Sequence, residues 1–136
     1  MESQLEKTSL YYEVYGQGRP LIVLHGWSFD HRHMVSALEP CFQDRDNWQR
    51  LYLDMPGHGK SAGVDGLNNM DDVLENILTF IDDIIPSQRF ILAGMSAGGY
   101  LARGVVQQKR ELVDGLLLFA PRIVADDTQR ILPSPV

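Results

Sequence analysis

The chain has 136 residues, of which 44% are hydrophobic and 22% charged, a globular balance that excludes disorder, collagen and low complexity and suits one domain. Twelve Lys and Arg stand against 18 Asp and Glu, for a net charge of −6, which argues against nucleic acid or an anionic membrane as partner. No Lys or Arg lies between Ser61 and Gln88, where Asp65, Asp71, Asp72, Glu75, Asp82 and Asp83 fall, a pattern read as a solvated helix face. Cys41 is the single cysteine. It forms no internal disulfide, reads as a small buried hydrophobe, and fits a reducing, cytoplasmic location. The opening MESQLEK is polar and shows no signal peptide, and the apolar run between Arg89 and Arg103 is too short to span a bilayer.

Short apolar runs alternate with longer amphipathic ones. Residues 8–15 alternate Leu10, Tyr12 and Val14 against Tyr11, Glu13 and Tyr15, which predicts a half-buried strand. Gly16 to Gly18 make a turn, and PLIVLH at 20–25 reads as a buried parallel strand. Residues 30–39 predict a helix with Asp30 near its start and Pro40 closing it, and WQRLYL at 48–53 a strand. Residues 55–68 hold four glycines and a proline and predict a loop. The periodic Met70, Val73, Leu74, Ile77, Leu78, Ile81 and Ile84 predict a helix over 70–85, capped by Asn69, favoured by Asp71 and Asp72, and stopped by Pro86. Residues 89–93 read as a strand, 97–109 as a helix with Tyr100, Leu101, Val105 and Val106 inward, and 113–120 as a last strand. Strands alternating with helices predict an α/β fold, a three-layer α/β/α sandwich with a mostly parallel sheet. Ligands in such sheets sit at the C-terminal strand ends, here near His25–Trp27, Asp54–Gly57, Ser96 and Pro121.

Gly94-Met95-Ser96-Ala97-Gly98 is a G-x-S-x-G at a predicted strand-to-helix turn. A serine there is strained and exposed, with neighbours lacking bulk and a helix N-terminus beside it. The competing reading is a helix N-cap serine. Leu24-His25-Gly26-Trp27 ends a buried strand. An oxyanion needs two preorganised N–H donors. One is assigned to Ala97 and the other to Trp27, with Ser28 as fallback, while His25 is read as a structural histidine bonding loop backbone. Gly59-Lys60-Ser61 ends like a P-loop, but Asp54 stands where that motif needs glycine, and its carboxylate would repel phosphate. No metal or cofactor is expected, because no histidine and acid cluster has ligand spacing, and His31 and His33 point to different sides of a helix.

In this order and spacing LHGW, DMPGHGKS and GMSAGG resemble the α/β-hydrolase fold superfamily, nearest its serine esterase, lipase and C–C hydrolase group with an HG oxyanion loop. The resemblance runs over about residues 8 to 121. It implies Ser96 as nucleophile on an elbow, Trp27 and Ala97 as oxyanion hole, DMPGHGKS as a structural loop, an ester or related acyl substrate, and no cofactor. Residues 1–136 would form one core domain, the N-terminal half of a truncated family fold, with 122–136 starting a lid. The family's triad runs nucleophile, acid, histidine, yet all four histidines (His25, His31, His33, His58) precede Ser96. Three readings stay open. The base lies beyond residue 136; or the chain is a non-catalytic homologue that binds a small acyl ligand or a partner chain; or an upstream histidine serves. The apolar strand 113–120, left as a sheet edge, is expected to favour self-association.

Overall fold

The computed structural model describes residues 2–4, 9–61, 63, 67–124 and 126–131. Among the described residues six strands and three α-helices follow one another. They are β1 (Glu2–Gln4), β2 (Ser9–Tyr15), β3 (Arg19–Leu24), α1 (His31–Leu38), β4 (Trp48–Leu53), α2 (Met70–Ile84), β5 (Phe90–Met95), α3 (Ala97–Gln108) and β6 (Val113–Phe119). The sheet order is β1-β2-β4-β3-β5-β6. Strands β4, β3, β5 and β6 run parallel, and β2 and β1 add antiparallel pairs at one side. The mostly parallel α/β sheet expected from the alternating pattern is therefore present.

The pleat of a strand sends alternate side chains to opposite faces, and both faces of the central strands are covered. Ile22, Leu24, Leu51, Leu53 and Leu92 pack with Ile77, Phe80 and Ile81 of α2 and Leu101 and Val105 of α3. On the other face Leu21, Val23, Tyr52 and Ala93 pack with Met34 and Leu38 of α1. This is why β3 reads as a nearly continuous apolar run after Arg19.

Helix starts follow the caps predicted for them. Asn69 accepts hydrogen bonds from the Asp71 and Asp72 amides at 2.9 and 3.0 Å, and Asp30 accepts from the Arg32 amide at 2.9 Å. On α2, Asp71, Glu75, Asp82 and Asp83 are exposed, with Lys109, just after α3, reaching Asp82 at 2.5 Å; Asp65 lies outside the described residues. Among the described residues no helix is long and apolar enough to cross a membrane.

Two local expectations need correction, and one strand was not foreseen. Cys41 is exposed, not buried, because it sits in a 3-10 turn at Glu39–Phe42 that Pro40 opens on the surface. The buried stripe of α2 centres on Val73, Ile77, Phe80 and Ile81, with Asn76 beside them. Phe80, absent from the predicted stripe, is fully buried and meets Tyr12 edge-on at 5.0 Å. The polar opening contributes β1, which pairs Ser3 with Leu10; its lack of apolar alternation hid it. Strand β6 pairs with β5, and its Leu116 and Leu117 are 39% and 47% exposed.

Candidate active site

The predicted C-terminal strand ends converge on Ser96. It links β5 to α3 with φ 50° and ψ −113°, a left-handed backbone that costs a non-glycine residue of order 1–3 kcal/mol. Its amide donates to the Phe119 carbonyl at 3.0 Å, and its carbonyl accepts from the Tyr100 and Arg122 amides at 3.1 and 3.0 Å. These bonds from β6, α3 and the segment after β6 hold the strained turn. The side chain makes no capping bond to α3, so the N-cap reading does not describe it. Among the described residues the hydroxyl has no hydrogen-bond partner.

Glycines bring the surrounding backbone close. A Cβ on Gly94 would lie 2.5 Å from the Gly98 carbonyl oxygen, and one on Gly98 would lie 2.4 Å from the carbonyl oxygen of His25. The first turn of α3 thus seats directly on the end of β3. The loop after β3 also abuts the serine, since a Cβ on Gly26 would stand 3.5 Å from the Ser96 Cβ. Ala97 opens α3, where amides lack intrahelical acceptors. Neither the Ala97 nor the Trp27 amide donates to an acceptor among the described residues. Trp27, Ala97, Met70, Tyr100 and Arg122 line a cavity of about 280 Å³. A second, of about 320 Å³, shares Met70 and Tyr100 and extends to Leu74, Arg103 and Ile123.

His25 is buried, and its protonation state follows from its partners. Its Nε2 accepts the Met55 amide hydrogen at 2.9 Å. The proton must therefore sit on Nδ1, which donates to the Gly26 carbonyl at 2.8 Å. Burial pushes its pKa down, in keeping with a neutral ring. Both nitrogens are committed, as the structural reading of His25 expected, so this ring is not available as a base. His31 is also committed, with Nδ1 2.8 Å from Asp54 and Nε2 3.1 Å from Glu13. His33 stacks on Phe29 at 4.3 Å. His58 places Nδ1 3.0 Å from the Pro56 carbonyl oxygen and its ring 4.6 Å from that of Trp27.

The segment from Asp54 to Ser61 folds around the Asp54 carboxylate. Asp54 accepts from the His31 amide at 2.7 Å and the Lys60 amide at 2.8 Å, and its carbonyl accepts from the Ser61 hydroxyl at 2.6 Å. Lys60 Nζ donates to the Tyr11 hydroxyl at 2.9 Å and lies over that ring. The amide and ammonium that a phosphate would need already hold protein partners. This centre, with Glu13 and His31, went unrecognised in the sequence; the one available signal was a carboxylate ending a buried strand. Contrary to the spacing argument, Asp30, His31 and Asp54 do gather, with ligand atoms within 4.8 Å of one another. Their oxygens are engaged: Arg32 bonds Asp30 and holds its carboxyl at about 2, while Asp54 carries the bonds above.

Comparisons with known proteins bear on the family and the fold. The profile of the family described as serine aminopeptidase, S33 matches residues 20–135. A pimeloyl-[acyl-carrier protein] methyl ester esterase of Shewanella woodyi is 31% identical over 113 residues, covering 83% of this chain and 40% of that protein. An α/β superfamily hydrolase of Oenococcus oeni superposes with a TM-score of 0.86 at 36% identity, over 96% of this chain and 48% of that one. A thermophilic esterase of Thermogutta terrifontis superposes at 0.75 and 26% identity, over 88% and 43%. The chain thus spans less than half the length of these relatives. It belongs to the α/β-hydrolase superfamily, in the family described as serine aminopeptidase, S33.

Proposed function

We propose that the complete protein is a serine hydrolase acting on an ester or related acyl substrate. The Ser96 oxygen attacks the carbonyl carbon, and the oxyanion so formed accepts hydrogen bonds from the Ala97 and Trp27 amides. Collapse expels the alcohol and leaves acyl-Ser96, which water then hydrolyses. The serine proton passes to a histidine from outside these 136 residues, oriented by an acid, and from it to the leaving alcohol; His25 and His31 are committed elsewhere and no described histidine bonds Ser96. The observation that carries the proposal is the strained Ser96 turn, with an unbonded hydroxyl beside two amides without acceptors. Relatives named as methyl ester esterases support the ester class. The apolar wall of Trp27, Met70 and Tyr100 suits the acyl group.

In this reading residues 1–136 are the N-terminal half of the catalytic core and 122–136 the start of its lid, of which 125 and 132–136 lie outside the described residues; Arg122 and Ile123 line the two cavities. The exposed Leu116 and Leu117 on β6 favour self-association of the isolated chain, which sedimentation velocity reads directly. A single, exposed cysteine suits a reducing cytoplasm. The deciding test is Ser96→Ala in the complete protein with a short activated ester. Turnover should fall by about 10⁶-fold with the melting curve retained. Ester hydrolysis that persists in this variant overturns Ser96 as nucleophile, whereas a wild-type complete protein that hydrolyses no ester leaves acyl binding without turnover as the better reading.

A further inference from the structure

Three rings form a ladder beside Ser96. His25 is its buried foot, bonded at both nitrogens. The His58 ring lies 5.2 Å from His25, tilted by 57°, and 4.6 Å from Trp27, nearly edge-on at 74°. His58 is fixed from its own loop: its amide donates to the Met55 carbonyl at 2.9 Å, its carbonyl accepts from the Ser61 amide at 2.9 Å, and Nδ1 faces Pro56. Trp27 is different. It is 55% exposed, it follows a glycine, and it precedes Ser28, whose φ is 68°. Among the described residues its aromatic partner is His58 alone. The direction of the Trp27 N–H depends on the peptide planes between Gly26 and Ser28, and the indole is the lever by which a neighbour restrains them.

We propose that His58 is a positioning residue, whose ring holds the Trp27 indole and thereby keeps the Trp27 amide aimed over Ser96. The proposal rests on Trp27 as an oxyanion donor. It predicts an effect on the transition state, not on substrate affinity, because an oxyanion donor bonds fully only to the charged intermediate.

Two measurements test it. In the complete protein, His58→Ala should lower kcat about 10- to 100-fold, as a donor misplaced by about 1 Å does, with KM within about twofold. His58→Phe keeps a ring against Trp27 and should recover most of the rate, although it loses the bond to Pro56. Independently of catalysis, Trp48→Phe leaves Trp27 as the only tryptophan of the 136-residue chain. Its fluorescence anisotropy should fall in His58→Ala and hold in His58→Phe. Unchanged anisotropy in His58→Ala overturns the proposal, as does a kcat equally low in both variants. Anisotropy that falls while kcat holds also overturns it, and removes Trp27 as donor. Failure of the hydrolase assignment itself is separate, because it appears as activity surviving Ser96→Ala.

Discussion

His25 accepts the Met55 amide hydrogen on Nε2 at 2.9 Å, so one buried neutral ring joins the end of β3 to the loop after β4. His25→Phe fills the space but strands the Met55 N–H and the Gly26 carbonyl. Each lost partner costs about 1–3 kcal/mol, and urea unfolding should show the sum. The sign of the pH dependence follows from the depressed pKa. The stability is fully present above the ordinary histidine value of 6.5 and is lost as pH falls through the window below it, at up to about 1.4 kcal/mol per pH unit. In His25→Phe that slope should disappear; a slope that stays places the titration on another group.

Asp54 is expected to be the most sensitive polar position of the core. It is fully buried and accepts from two amides as well as from His31. Asp54→Ala leaves these donors without an acceptor, at about 1–3 kcal/mol each, so chemical denaturation should show a loss of at least about 3 kcal/mol. A loss below about 1 kcal/mol would mean that the loop holds its shape without the carboxylate.

Glu39 makes a bidentate pair with Arg50, through Nε at 2.9 Å and Nη2 at 2.6 Å, and accepts from the Tyr52 hydroxyl at 2.6 Å. Arg50 first, and Tyr52 after it, hold the Glu39 carboxyl below its ordinary value of 4.5. The stability is therefore present above that value and is lost as pH falls through the lowered one. Glu39→Gln should cost about 1–3 kcal/mol at neutral pH and flatten the acid limb of the stability curve below pH 4.5. An unchanged acid limb assigns the proton uptake elsewhere.

Gly98→Ala should not fit. The added methyl would stand 2.4 Å from the His25 carbonyl oxygen and 2.5 Å from that of Leu24, both backbone atoms of the sheet. Either α3 lifts off β3 or the turn at Ser96 moves. The expected loss is at least about 1–3 kcal/mol, read as a lower melting temperature. Wild-type stability in this variant would show that the seat of α3 is adjustable.

The 136-residue chain alone should label slowly with a fluorophosphonate, because an unactivated serine is a weak nucleophile. Ester hydrolysis should sit near the residual of roughly 10³–10⁴-fold over water that oxyanion donors and binding provide. Rapid stoichiometric labelling at Ser96 would mean that a histidine of this chain or of a partner copy reaches the hydroxyl.

Much of the fold was legible because its signals are local. Alternation along 10–15 and the continuous apolar run at 20–25 reflect the period of a strand with one or two covered faces. The turn at Ser96 was equally legible, since Gly94 and Gly98 mark where two backbones approach. Where side chains compete for one face, local signals fail. The α2 stripe as read left out Phe80, although it lies three residues after Ile77; in the core it meets Tyr12 of β2, a contact 68 residues away in sequence.

By itself the sequence determined the order of strands and helices, their caps, and the position of Ser96 at a strand-to-helix turn. Each of these depends on residues a few positions apart. Only the tertiary structure decided that His25 is a neutral tautomer held by Met55, that Asp54 is the hub of the loop ending at Ser61, and that His58 stands between His25 and Trp27. The partners of these side chains come from different strand ends: Met55 lies 30 residues from His25, and His31 lies 23 from Asp54. The parallel sheet aligns those ends side by side, and hydrogen bonds over such separations leave no periodic trace in the chain.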